Sequence, residues 1–377
     1  MNEKLKNIIV TVSFLWVVIG IFAANIILPD KELSVSERRK LEQRPELEAS
    51  DLLDKRAYRD YEEYFLDQFV LRDQFRALKA IGAYNLLRLR DNNGIYLIGD
   101  GIYKMEYPLD EASAARAAEK FSQINAKYLS ECNAYYSIVP DKNYFVAQKN
   151  GYLSFDYGRM AGLMAEHTED MGYIDIFGAL TIEDYYRTDL HWKQESVFPA
   201  AGKLLEAMGN ERAVSIHSYN ARTLYPFYGS YFGQAAVPLK PDTLTYLTNG
   251  TLEGARAYRY DFAMEENKIK PIKIEIPVYD VAAFGGIDPY SLYLGGPQFI
   301  VELENTSNES GRELYLFRDS FASSLAPLML EGYSKITLID LRYISADLLE
   351  RFISFSPGGD ALFLYGTQLL NQSAMLR

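Results

Sequence analysis

From residue 313 to the C-terminus, short apolar runs alternate with helical ones. Glu313–Phe317, Lys335–Leu341 and Ala361–Leu364 read as buried strands, and Phe321–Leu330, Ala346–Ser354 and Thr367–Met375 as helices. Strands that are apolar along their whole length are covered on both faces, and strands joined through helices run parallel. The same alternation is present upstream: helix Ala112–Tyr128, strand Ala134–Val139, helix Phe155–Met171, strand Tyr173–Phe177 and helix Val197–Met208. The chain is thereby held to an α/β fold around a mostly parallel sheet. Residues 225–300 break the pattern. They are rich in Tyr, Val, Ile and Thr with Gly and Pro punctuation, and a strand-rich insertion or lid is expected there. Short strands on either side of Gly99-Asp100-Gly101 predict a hairpin.

Open α/β sheets place ligands beyond the C-terminal ends of their strands. One such end is Leu314-Tyr-Leu-Phe317, broken by Arg318, Asp319 and Ser320 before a helix begins. Ser320 therefore occupies a strand-to-helix turn beside the unpaired N–H groups of a helix start. That position suits a nucleophile, because the same N–H groups can stabilise an oxyanion. The turn also reads as a simple N-cap by Asp319 or Ser320. A second strand end, Pro140-Asp141-Lys142-Asn143, makes Lys142 and Asn143 substrate-binding candidates.

A base working near neutral pH is most simply a histidine, and the chain has three. His167 lies in a helical stretch bearing Glu and Asp, and His217 in a polar loop; both are expected at the surface. His191 differs, with Asp189 two residues before it and Trp192 directly after. In an extended segment, residues i and i+2 point the same way, so the carboxylate can fix the imidazole tautomer. Ser320, His191 and Asp189 then supply nucleophile, base and orienter. The alternative is a buried Asp189–His191 pair that ties down a loop.

A net charge of −12 argues against nucleic acid and against electrostatic attachment to anionic lipid. Cys132 is the single cysteine, which excludes an intramolecular disulfide and a Cys-rich zinc site. No zinc motif, P-loop or dinucleotide fingerprint is present, so no metal or cofactor is expected. Near the start, Ile8–Leu28 is almost wholly apolar and follows Lys4 and Lys6. At ~1.5 Å per residue this run crosses a hydrocarbon core of ~30 Å. The lysines orient the N-terminus to the cytoplasm and the bulk of the chain outside it, as a single-pass signal anchor in the cell membrane. A cleaved signal peptide ending near Ala23-Ala24-Asn25 is the other reading. The expected organisation is an anchor over 1–29, then a linker and amphipathic helices over 30–90. An α/β domain with its insertion follows over 91–377.

Tyr185-Tyr-Arg-Thr-Asp-Leu-His-Trp192 resembles the motif that names the DHHW protein family. That family resembles the SGNH-like proteins of alginate O-acetylation. Phe317-Arg-Asp-Ser-Phe-Ala-Ser-Ser-Leu-Ala-Pro-Leu is similar to the family's Asp-Ser block, Tyr333–Tyr343 to the strand after it, and Phe227-Tyr-Gly-Ser230 to a further block. The opening also fits, with Glu37-Arg-Arg-Lys-Leu41 and Tyr64–Asp73 after the anchor. The resemblance implies a flavodoxin-like SGNH architecture. It implies an Asp189–His191–Ser320 triad that transfers acetyl groups to a cell-surface or exported polysaccharide, with a membrane-bound O-acyltransferase as acyl donor. The same triad would serve a carbohydrate esterase. A non-catalytic glycan-binding or envelope-assembly protein would keep the fold without needing all three residues. Leu190 replaces the first His of the name motif, and Arg318 stands where an SGNH block has Gly. An arginine there would bind an anionic substrate or face solvent, and Arg342, after the next strand, is a candidate for the same rim.

Overall fold

The computed structural model describes residues 2–34, 36–46, 55–210, 216–266 and 268–377. They divide into two units, Met1–Asn92 with Phe232–Pro238, and Asn93–Tyr231 with Leu239–Arg377.

The second unit is built on an eight-stranded sheet. Its strands are β1 (Asn133–Val139), β2 (Gly172–Tyr173), β3 (Arg256–Glu265), β4 (Lys268–Ile276), β5 (Ile300–Glu304), β6 (Glu313–Arg318), β7 (Lys335–Ile339) and β8 (Asp360–Gly366). Their order is β4-β3-β5-β7-β6-β8-β1-β2. The pairs β7/β6, β6/β8, β8/β1 and β1/β2 are parallel, whereas β5, β3 and β4 add on antiparallel. Taking β6 as the first strand, the parallel part runs 2-1-3-4-5, the flavodoxin-like order, with strands four and five supplied from earlier in the chain.

Side chains alternate across the sheet as the two-residue period requires. Leu314, Leu316, Leu338 and Leu362 pack with Leu204 and Leu325 from helices Phe198–Ala207 and Phe321–Met329. Tyr315, Phe317, Ile339 and Phe363 pack with Phe121 and Met160 from helices Glu111–Tyr128 and Tyr157–His167. Every residue from Leu314 to Arg318 is buried, which explains why Leu314–Phe317 is an unbroken apolar run. From β6 the chain crosses to β7 on one side and then returns past β6 to β8 on the other. The switch point is therefore the gap beyond the C-terminal ends of β6 and β8.

Several elements are shorter or placed differently than the sequence predicts. The strand expected over 173–177 is only Gly172–Tyr173, because the Asp175 carboxylate takes the Phe177 N–H and turns the chain. The helix expected over 346–354 is a 3-10 helix, Ala346–Arg351. The strand-rich stretch is not one insertion: Asn220–Phe227 pairs with Asp242–Thr248 as a separate hairpin, whereas β3 and β4 extend the main sheet. The hairpin around Gly99 forms as expected, Ile95–Ile98 against Gly101–Lys104.

The first unit holds the apolar helix Glu3–Ile27, long and apolar enough to cross a membrane. Helices Lys55–Gln68 and Arg72–Ile81 follow, together with a short pairing of Leu33–Ser34 with Arg39–Lys40.

Candidate active site

The loop carrying Asp189 and His191 is a closed turn rather than an extended strand. Tyr185 and Trp192 form an antiparallel bridge at its base, and the Tyr186 N–H donates to the His191 carbonyl at 3.1 Å. At its tip the fully buried Asp189 accepts the His191 backbone N–H at 2.9 Å, and the same oxygen lies 2.5 Å from His191 Nδ1. The two side chains meet because the carboxylate closes the turn, not because i and i+2 alternate. Leu190 packs against the apolar cluster instead.

An ionised carboxylate is acceptor-only, so His191 must present Nδ1–H to it. This leaves Nε2 to accept, and Nε2 lies 2.7 Å from Ser320 Oγ. Ser320 follows β6 after one residue, Asp319, at the switch point, and is half-buried. It makes no cap hydrogen bond to its own helix. Asp319 does that work, accepting from the Phe321 N–H at 3.0 Å and the Gly366 N–H at 2.7 Å. The cap of this turn is thus Asp319 rather than Ser320. Burial pushes the Asp319 carboxyl up, with Arg342 opposing.

The expected substrate-binding residues turn inward. Lys142 Nζ is within hydrogen-bond distance of the carbonyls of Ile102 (2.7 Å), Tyr186 (2.7 Å), Arg187 (3.0 Å) and Asp189 (3.1 Å). It clamps the triad loop from beneath; burial pushes it down to about 7, with Asp189 and Asp242 opposing. Asn143 accepts from the Tyr96 hydroxyl at 2.7 Å and donates to the Leu153 carbonyl at 3.2 Å, so it is committed to the scaffold. Arg318 is 1% exposed, neither at a rim nor in solvent. Its Nη1 donates to Ser323 Oγ at 3.2 Å and lies 3.6 Å from the Asp340 carboxylate. Arg342 binds that same carboxylate in bidentate fashion at 2.8 and 2.6 Å. Both arginines brace the turn behind Ser320. His167 is half-buried at its helix end, and His217 is exposed.

Several supporting residues act through contacts that the sequence does not disclose. The Ser230 N–H donates to the second Asp189 oxygen at 2.6 Å, and the Gly229 N–H donates to Thr188 Oγ1 at 3.0 Å. Thr188 in turn donates its N–H and hydroxyl to Asp242 at 2.8 and 2.7 Å. The Tyr290 ring stacks on His191 at 3.8 Å between centroids with 5° between planes, and its hydroxyl donates to Ser324 Oγ at 2.8 Å. Trp192 Nε1 donates to the Phe321 carbonyl at 3.1 Å, fastening the triad loop to the serine helix. Among the described residues, no cluster of His, Cys, Asp and Glu is placed to hold a metal ion.

Beside the site, Gln368 Nε2 donates to Glu106 at 2.8 Å and to the Tyr231 hydroxyl at 2.7 Å. Burial pushes the Glu106 carboxyl up to about 7, with Lys104 opposing. The folded state then holds a proton between about 4.5 and about 7 that the unfolded state has lost. This group alone makes stability fall as pH rises through that window. In Glu106→Gln that fall is absent, so the wild type loses up to about 3 kcal/mol relative to the variant across it. Denaturant melts of both proteins at several pH values check this; parallel stability curves would refute it.

Together these features define an α/β fold with flavodoxin-like order in its parallel strands and a hydrogen-bonded serine, histidine and aspartate at the sheet's switch point. Residues 174–339, which contain all three, match the model of the DHHW protein family. A similar solved structure is a DHHW family protein from Eubacterium siraeum, at 22% identity and TM-score 0.55, covering 74% of this chain and 93% of that one. Another is Bacillus cereus PatB1 with a sulfonyl adduct, at 15% identity and TM-score 0.56, covering 73% of this chain and 95% of that one. The O-acetyltransferase domain of Pseudomonas putida AlgJ is matched more distantly, at 11% identity and TM-score 0.42 over 74% of this chain and 93% of that one. No curated protein matches the chain. At these identities the likeness to the DHHW family protein and to PatB1 establishes a shared fold.

Proposed function

We propose that the protein is a membrane-anchored extracytoplasmic serine acyltransferase that O-acetylates a cell-surface or exported polysaccharide. The observation that carries this reading is the unbroken line from Asp189 to His191 Nδ1 and from Nε2 to Ser320 Oγ, ending at a half-buried hydroxyl. In the proposed reaction Ser320 Oγ attacks the carbonyl carbon of an acetyl donor while His191 Nε2 takes its proton. The tetrahedral intermediate collapses to an acetyl-serine, and the leaving group departs with the proton from His191. A sugar hydroxyl then gives its proton to Nε2 and its oxygen to the acetyl carbon, regenerating Ser320. The Ser320 N–H is the candidate oxyanion donor. Lys142 and Asn143 are not, since both are engaged elsewhere. A membrane-bound O-acyltransferase is the proposed source of acetyl groups, delivered at the membrane that the Glu3–Ile27 helix enters.

The test is to incubate the full-length protein with an activated acetyl ester and map the adduct by mass spectrometry. A sulfonyl fluoride, the reagent class suggested by the adduct on PatB1, gives a second trap. An acetyl group on the Ser320 peptide, discharged by an added polysaccharide, is the expected result. Discharge to free acetate with no acetylated polymer would make the protein an esterase. Absence of either adduct from Ser320 would remove the acyl-enzyme and favour a glycan-binding protein.

A further inference from the structure

We propose that the helix Arg72–Ile81 lies in the membrane–water interface as a second membrane contact, on the side of the bilayer where the bulk of the chain lies. The proposal rests on reading Glu3–Ile27 as an uncleaved anchor. Leu71, Phe75 and Leu78, at spacing i, i+4 and i+7, form one stripe and are 57%, 45% and 64% exposed. The stripe continues past the helix end to Leu86, which is 81% exposed. The opposite side of the helix is occupied: Ala80 is fully buried, and Arg72 and Arg76 pair with Glu37 at 2.8 and 3.1 Å. An apolar stripe of this length open to water is unfavourable in a soluble protein and marks a contact surface.

What covers it follows from where it starts. Asn25, in the last turn of the apolar helix, accepts the Val70 N–H at 2.7 Å. Gln68 is tied to Lys31 by two further hydrogen bonds of 2.9 Å, one to its N–H and one to its carbonyl. The turn before Arg72 is therefore fixed to the end of the presumed span. A 25-residue helix is ~37 Å long and outreaches a ~30 Å hydrocarbon core, so its last turn sits among the headgroups. Leu71 adjoins Val70 and starts the stripe at that depth. Exposed Lys79 lies on the same helix and exposed Arg88 and Arg90 in the segment after it, as cationic side chains flank interfacial helices. The occupant is thus the lipid surface itself.

Depth-dependent quenching tests this with the full chain in phosphatidylcholine vesicles containing a brominated lipid. Cys132→Ser provides the background, and an environment-sensitive fluorophore is attached at Ile19→Cys, Leu78→Cys or Asp73→Cys in turn. Asp73 is turned by ~200° from Leu71 on the same helix and reports the opposite face. Strong quenching at positions 19 and 78, with little at 73, is the expected result. Quenching at 19 with 78 equal to 73 would overturn the interfacial helix while leaving the anchor in place. No quenching at 19 would remove the anchor and the proposal together. Protection of position 78 in native membranes but not in lipid vesicles would also overturn it, in favour of a protein partner.

Discussion

In Ser320→Ala, turnover of an activated acetyl ester falls by roughly 10⁴ to 10⁶, and the thermal transition stays where it is in the wild type. The loss is large because the half-buried hydroxyl is where the hydrogen-bonded line from Asp189 through His191 ends. The transition is expected to hold because the helix N-terminus is capped by Asp319, not by Ser320. His191→Ala lowers the rate by a similar factor, and combining the two substitutions adds little, since a nucleophile and its base act as one unit. Asp189→Asn costs roughly 10⁴. An amide at that position must accept from both the His191 N–H and Nδ1–H on one atom while meeting the Ser230 N–H with its other. Its NH₂ would face either the Ser230 N–H, losing that bond, or His191 Nδ1, where it donates and drives the imidazole to the wrong tautomer. Initial rates for the series, with melting curves alongside, check these values. Additive losses, or Asp189→Asn within tenfold of the wild type, would leave the aspartate–histidine pair as a structural tie.

What the sequence discloses about this site depends on whether residues act through local spacing. Asp189 and His191 are two residues apart, and Ser320 follows a strand whose burial on both faces makes Leu314–Phe317 an unbroken apolar run, so both are legible. Tyr290 and Ser324 are not. Tyr290 reaches the His191 ring and the Ser324 hydroxyl only after the sheet has folded, and neither contact follows from local spacing. Gly229 and Ser230 were visible as part of a family block, but what they touch was not.

The charged residues at strand ends mislead for a different reason. A lysine or arginine after a strand is read as reaching for a ligand because burying a charge is rare and costly. Here the scaffold offsets part of the cost: carbonyls of the 95–104 hairpin and of the 185–192 loop surround Lys142, and Asp340 sits between Arg318 and Arg342, although Arg318 Nε and Nη2 are buried without a hydrogen-bond partner among the described residues. Nothing in the local sequence separates a buried, compensated cation from an exposed one. The same limit applies to residues 225–300. Composition rich in Tyr, Val, Ile and Thr points to strands there, but not to whether they join the main sheet, as β3 and β4 do, or stand apart, as Asp242–Thr248 does.

Gly229→Ala separates the support of the triad from the triad itself, because it alters no hydrogen-bonding group. A Cβ on Gly229 would lie 2.2 Å from the Thr188 carbonyl oxygen and 2.4 Å from Asp189 Cα. Both are backbone atoms, so no rotamer change relieves the contact, and one of the two loops must move. Thr188 is held by Asp242 and Asp189 by the Lys142 clamp, so the displacement falls on the 227–230 loop. That withdraws the Ser230 N–H from the Asp189 carboxylate, leaving a buried oxygen short of a partner. Overpacking of this kind costs about 1–3 kcal/mol, read as a lower denaturation midpoint. With its backbone held, the carboxylate loses the Ser230 N–H that orients it and can rotate away from His191, and a misplacement of ~1 Å lowers the acylation rate by about 10². Loss of stability without loss of rate would mean that the 227–230 loop packs against the site without positioning Asp189. Loss of both, with acylation still confined to Ser320, would make the Ser230 N–H the group that orients the aspartate.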